Sequence, residues 1–144
     1  MDGCENYFNR DCELWSLALI MVSLRLWMSG WHIVNGVLKI FSERGALLSE
    51  SCFLEGKRQG VFRLFYLNGC LYAVLNYQNG LKEGRQESFY KDGSFKTVEH
   101  YSLGKLDGEV LLYWPNGVLK RRSYFLAGVC RQDQFWSEDG ISLS

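Results

Sequence analysis

Residues equipped for chemistry are sparse in this chain. The only histidines are His32 and His100, the five cysteines are Cys4, Cys12, Cys52, Cys70 and Cys130, and Asp92, Asp107 and Asp139 each precede a glycine, as turn residues do. Covalent catalysis needs a nucleophile within reach of a base that a third group orients, and no segment places such a set together. Zinc takes tetrahedral cysteine and histidine ligands, usually in short-spaced pairs, and neither histidine stands beside a cysteine pair. An odd number of cysteines without short spacing fits reduced thiols in a cytoplasmic protein. The expectation is therefore a non-enzyme, with no metal and no cofactor, in which His100 is a surface residue.

Charge narrows the partners. Sixteen basic and sixteen acidic residues cancel, so no net field draws the chain toward nucleic acid. Fifteen glycines and a single proline accompany an aromatic content of 15%. Glycine at that level goes with loose chain, whereas so many aromatic rings require burial. Regularly placed turns between aromatic strands reconcile the two.

The glycines supply the order. Gly45, Gly69, Gly93 and Gly117 are 24 residues apart, as are Gly56, Gly80, Gly104 and Gly128, and again Gly36, Gly60, Gly84 and Gly108. Such a period marks a repeat architecture. Asn68-Gly69, Asp92-Gly93, Asn116-Gly117 and Asp139-Gly140 separate apolar runs and predict two-residue type I′ hairpin turns. The Gly-x-x-x-Gly stretches at 56–60, 80–84 and 104–108 predict longer loops with left-handed residues at their ends. The expected fold is all-β: tandem antiparallel hairpins in an elongated single-layer meander, with one apolar N-terminal helix.

A two-residue turn at Asn68-Gly69 pairs Tyr66 with Leu71, Phe65 with Tyr72 and Leu64 with Ala73. Alternation then puts Phe62, Leu64, Tyr66, Leu71, Ala73, Leu75 and Tyr77 on one apolar face, continued by Tyr90, Phe95, Tyr101, Val110, Leu112, Trp114, Leu119 and Phe125. The opposite face carries Arg63, Arg85, Glu87, Lys96, His100, Glu109, Lys120 and Arg122 around a rib of Phe65, Phe89 and Tyr113. A single layer cannot cover its own apolar face.

The cover within the chain is the run Leu14–Met28, broken only by Ser16, Ser23 and Arg25. It is short for a span, which takes about twenty apolar residues, and lacks the basic start of a secretory signal. It reads as a helix packed on the domain, as a membrane-associated segment, or as translated sequence upstream of a start at Met28. As a helix it reaches about 22 Å, against roughly 40 Å for nine strands side by side. The organisation expected is an N-terminal segment over residues 1–30 and a repeat domain over residues 31–144.

The unit [FY]-[YW]-x-[ND]-G-x-[LF]-x5-[YF]-x2-G-x3-G resembles the MORN-repeat variant of many bacterial proteins, often labelled YwqK-type antitoxins. The resemblance runs from about Val34 to Gly140 and weakens at both ends, where Ser42 and Arg44 replace the usual aromatic and Asn or Asp, and Gln132 replaces the last glycine. Those end units read as caps. The resemblance implies an interaction module that binds a protein partner or dimerises, in an antitoxin- or immunity-like role, with no catalytic residues to carry over. A membrane- or lipid-associated scaffold is the alternative. The binding surface is expected at Tyr66, Tyr90 and Trp114 with Leu71, Phe95 and Leu119, or else at Phe65, Phe89 and Tyr113, because amphipathic aromatics provide contact area at low entropic cost.

Overall fold

The computed structural model describes residues 35–143; the Leu14–Met28 segment, and with it the expected helix and its covering role, lies outside them. The described chain is all-β. Its strands are β1 (Gly36–Phe41), β2 (Leu47–Leu54), β3 (Lys57–Arg58), β4 (Gly60–Phe65), β5 (Leu71–Gln78), β6 (Leu81–Lys82), β7 (Gly84–Phe89), β8 (Phe95–Ser102), β9 (Lys105–Leu106), β10 (Gly108–Tyr113), β11 (Leu119–Leu126) and β12 (Val129–Phe135). All twelve belong to one open antiparallel sheet in chain order, with β3, β6 and β9 as short spurs on β2, β5 and β8. Each 24-residue period thus builds one hairpin and one linking turn.

The two turn types are exchanged relative to the sequence expectation. At Asn68-Gly69 the Tyr66 carbonyl accepts the Gly69 N–H at 2.9 Å, and the Tyr66 N–H donates to Cys70 at 2.8 Å. Only Gly69 of the pair has a positive φ, at 85°. This is a three-residue loop, a type I turn closed by a left-handed glycine. The side chain supports this turn: Asn68 Oδ1 accepts the Cys70 N–H at 3.1 Å, as Asp92 does for Ser94 at 2.9 Å and Asn116 for Val118 at 3.0 Å. In the first unit Ser42, at the position of Tyr66, accepts the equivalent N–H, that of Ala46, on its Oγ at 3.0 Å, so this turn forms there without Asn or Asp before its glycine. The two-residue left-handed turns lie instead at the other connection, each made of the glycine at 56, 80, 104 or 128 and the residue before it. Glu55-Gly56, Asn79-Gly80, Leu103-Gly104 and Ala127-Gly128 all have positive φ at both residues, and Leu54 pairs directly with Lys57 across the first.

Pairing in the body of the hairpin follows the expected register: Leu64 opposes Ala73 and Phe62 opposes Leu75. Next to the turn it does not. The three-residue loop shifts the pairing by one residue, so Phe65 faces Leu71, and a bulge between Leu64 and Phe65 restores the register. The equivalent bulges set Phe89 against Phe95 and Tyr113 against Leu119. Cross-strand partners share a face. Leu71, Phe95 and Leu119 are therefore on the face of Phe65, Phe89 and Tyr113, not on that of Tyr66, Tyr90 and Trp114.

The face expected to be apolar also changes character along the array. In the β7–β8 hairpin it carries Gln86, Glu99, Ser88 and Thr97, with the last two hydroxyls 2.6 Å apart. Among the described residues Ala73, Val98 and Val110 are the only buried apolar side chains, whereas Gln86 and Ser123 are each 1% exposed. Gln86 plugs the fork where β7 leaves β5. Its Oε1 accepts the Asn76 N–H at 2.7 Å, and its Nε2 donates to the carbonyls of Asn76 and Glu83, both at 3.1 Å. A buried amide is tolerated there because its polar atoms are satisfied.

Neighbouring units are tied at the left-handed turns. The N–H groups of Gly80, Gly104 and Gly128 donate to the carbonyls of Arg58, Lys82 and Leu106 of the preceding unit at 2.7–2.9 Å. Asn35 Oδ1, Gln59 Oε1 and Glu83 Oε2, themselves 24 residues apart, accept the N–H of Glu55, Asn79 and Leu103. At the C-terminal end Gln132 stands where the other units have glycine. The short and long strands there merge into the continuous β12, with one shift between Tyr124 and Phe125.

Candidate functional site

The sheet presents two aromatic rows. Tyr66, Tyr90 and Trp114 follow the last residues of β4, β7 and β10, half-buried at the three-residue turns. Each donates to a backbone carbonyl in the next unit: Tyr66 Oη to Phe89 at 2.9 Å, Tyr90 Oη to Tyr113 at 2.8 Å, and Trp114 Nε1 to Trp136 at 3.1 Å. The residue displaced by each bulge covers the ring. Tyr72 meets Tyr66 edge-on at 5.1 Å, Lys96 lies 5.9 Å from the Tyr90 ring, and Lys120 lies 4.0 Å from that of Trp114. Polar tip and ring face are both engaged within the sheet, so these residues bind one hairpin to the next.

The second row lies on the other face. Phe89 and Phe95 are 5.2 Å apart between ring centroids, and Phe95 and Tyr113 are 6.4 Å apart. Phe65 with Leu71 and Tyr113 with Leu119 extend the row. Phe95 is 42% exposed, and the Arg85 guanidinium stands 6.0 Å from its centroid. Beside this row runs a line of ion pairs: Lys39 to Glu50 at 3.0 Å, Arg63 to Glu50 at 3.6 Å, Arg85 to Glu87 at 2.6 Å and Arg122 to Glu109 at 2.6 Å. An apolar strip beside paired charges has the layout of an interface core and its rim.

Other polar groups serve the sheet. Arg121 grips Asp133 with two bonds, Nε to Oδ1 at 2.8 Å and Nη2 to Oδ2 at 2.6 Å, and Ser123 donates to the same carboxylate at 2.7 Å. The Arg121 hydrogen bond chiefly, with help from Ser123, holds the Asp133 carboxyl below its ordinary range. The Ser94 hydroxyl and N–H do the same for Asp92. Burial, and then the Glu99 carboxylate, push the Tyr101 hydroxyl up. His100 is half-buried, with Nδ1 3.0 Å from the Glu109 carbonyl; a carbonyl only accepts, so that nitrogen carries the proton. The two best-formed depressions hold about 220 and 270 Å³, the first lined by Glu109, Arg122 and Gln134 and the second by Tyr66, Asn68 and Lys91. Ligand pockets usually hold about 300–1,000 Å³. Among the described residues no three His, Cys, Asp or Glu side chains group as a metal site.

Gln86, the Arg121–Asp133 pair and the caps Asn35, Gln59 and Glu83 escaped the sequence reading. A signal existed for the caps, since amide or carboxylate side chains recur 24 residues apart immediately before each third-series glycine.

Fold and surface define a class: a single-sheet array of β-hairpin repeats with aromatic rows at the repeat spacing. Residues 106–127 match the family model described as MORN repeat variant. The chain thus carries a MORN-type repeat across the fourth hairpin, including Trp114 and Leu119, and the 24-residue period places equivalent units before it. No curated protein matches the chain.

Proposed function

We propose that this protein is a non-catalytic interaction module that binds a protein, or a second copy of itself, through the row formed by Phe65, Leu71, Phe89, Phe95, Tyr113 and Leu119. MORN repeats commonly serve as protein- or membrane-binding modules, and the matched unit lies within this array. The observation that carries the reading is the pairing of Phe89 with Phe95 beside Tyr113, partly exposed on a layer that has almost no buried apolar core of its own. Rigid aromatics at a fixed repeat distance suit an extended partner. An antitoxin- or immunity-like role in the cytoplasm of a bacterium is the narrower version of the same reading. The apolar run Leu14–Met28 favours a second reading, a membrane-associated scaffold of the same repeats.

Phe95→Asp puts a charge in the middle of the row at a side chain that is 42% exposed, at the loss of its ring contact with Phe89. Association, read by sedimentation velocity and by recovery of the protein that co-purifies with the wild type, should be lost while the sheet stays folded, with a stability cost of about 1 kcal/mol from the missing ring contact. Tyr90→Phe removes only the bond to the Tyr113 carbonyl and should cost about 1 kcal/mol of stability with association retained. Wild-type association by Phe95→Asp sinks the assignment, and loss of association by Tyr90→Phe at unchanged stability moves the surface to Tyr66, Tyr90 and Trp114. Co-sedimentation with lipid vesicles and no protein association favours the scaffold.

A further inference from the structure

Four Asn-Gly pairs occur in the described chain, at Asn35-Gly36, Asn68-Gly69, Asn79-Gly80 and Asn116-Gly117. Asn-Gly is the dipeptide most prone to spontaneous deamidation, because glycine leaves its own backbone nitrogen open to attack the preceding side chain. The attack requires the asparagine side chain to swing toward that nitrogen. Anything that anchors the side chain or the glycine N–H to another part of the fold opposes it.

Three of the four pairs are anchored in that way. Asn35 Oδ1 holds the Glu55 N–H at 2.7 Å. The Gly80 N–H is tied to the Arg58 carbonyl at 2.9 Å, and Asn79 is itself left-handed, with φ 51°. Asn116 Nδ2 donates to the Glu138 carbonyl at 2.9 Å. Asn68 differs: its Oδ1 bonds to Cys70, and the Gly69 N–H bonds to Tyr66, both within its own exposed turn. Local fraying of that one turn frees every group the reaction uses. Asn116 is the nearest comparison, since its glycine N–H is held by Trp114 at the same 2.9 Å; what sets it apart is the amide anchor to Glu138 and the ring of Pro115 before it. Lys91 lines the same depression as Asn68, and its ammonium favours the negative charge that develops on the attacked amide.

We propose that Asn68 is a self-modification site, at which the native chain converts an amide into a carboxylate. The Gly69 nitrogen gives its proton to solvent and bonds to Asn68 Cγ; the Cγ–Nδ2 bond breaks, and ammonia leaves with a proton taken from water. Water then opens the five-membered imide at either carbonyl, giving aspartate or its β-linked isomer. Asp92 shows what the first product does in this geometry: a carboxylate at the equivalent position accepts from the Ser94 N–H at 2.9 Å and the turn is kept. That outcome adds one negative charge to a chain of formal net charge zero, beside Lys91. The β-linked product lengthens the backbone and disrupts the turn.

The test is peptide mapping by mass spectrometry of the full chain, incubated near neutral pH both native and in concentrated urea. In the native chain the one-dalton gain should build up at Asn68 several-fold faster than at Asn35, Asn79 or Asn116, and the four rates should converge in urea. A native rate at any of the other three that matches Asn68 overturns the proposal, as does a native order that persists unchanged in urea.

Discussion

Glycine is used at the residue scale for its backbone and not for space. A Cβ built at Gly117 meets nothing within 4 Å, yet φ is 83°, a conformation that side chains rarely adopt. Gly117→Val should therefore cost about 1–3 kcal/mol through strain alone, read by denaturant melting; a midpoint equal to the wild type contradicts the turn assignment. Asp133 makes a pH prediction. Its pKa is lowered in the folded chain by Arg121, so its contribution is present above the ordinary value of 3.8 and is lost as pH falls below it. Asp133→Asn should flatten the acid limb of the stability curve and leave the neutral limb parallel to the wild type. An unchanged acid limb means that the pair contributes nothing to folding.

Hairpins are coupled to their neighbours unevenly. Tyr66, Tyr90 and Trp114 each send a bond forward to the next unit. The first unit has Ser42 at that place, and its hydroxyl is turned back onto Ala46. The junction between the β1–β2 and β4–β5 hairpins consequently lacks one tie. Amides of β1 and β2 should exchange with solvent faster than those of β7 and β8; equal protection would show that the aromatic ties do not govern local opening. At the fork between β5 and β7, Gln86→Val would take the Oε1 acceptor from the Asn76 N–H. A cost of about 1–3 kcal/mol is expected in chemical denaturation, although Val110 occupies the corresponding place one unit on. No loss on Gln86→Val would mean that water replaces the amide.

The molecule as a whole has a surface problem. The single sheet leaves Phe41, Leu54, Leu81, Leu103, Leu126 and Phe135 exposed, and apolar surface that gathers into large patches calls for a cover. The run Leu14–Met28 is apolar enough to meet part of it. A chain starting at Ser29 should bind more hydrophobic dye and aggregate at lower concentration than the full chain. A soluble monomer with the same melting temperature would show that the segment covers nothing. No helix among the described residues is long and apolar enough to cross a membrane.

The 24-residue glycine series is a one-dimensional property, and it was enough to read the all-β hairpin array, its antiparallel order and the register of Phe62 to Leu64 with Ala73 to Leu75, because each hairpin closes locally and pairs only with its neighbours. Asn79-Gly80 even carried the left-handed turn signal that belonged to the other connection. The form of the turn at Asn68-Gly69 was not legible in the same way. A type I turn with a left-handed glycine and a type I′ turn draw on the same residues, and the bond from the Cys70 N–H to the Asn68 side chain favours the first. That one-residue difference decides which face Leu71, Phe95 and Leu119 share, and so which aromatic row they extend. Only the stacking of one unit on the next revealed that Tyr66, Tyr90 and Trp114 spend their polar tips on the neighbouring backbone, since the accepting carbonyls lie 22 or 23 residues away and are brought close by the sheet alone.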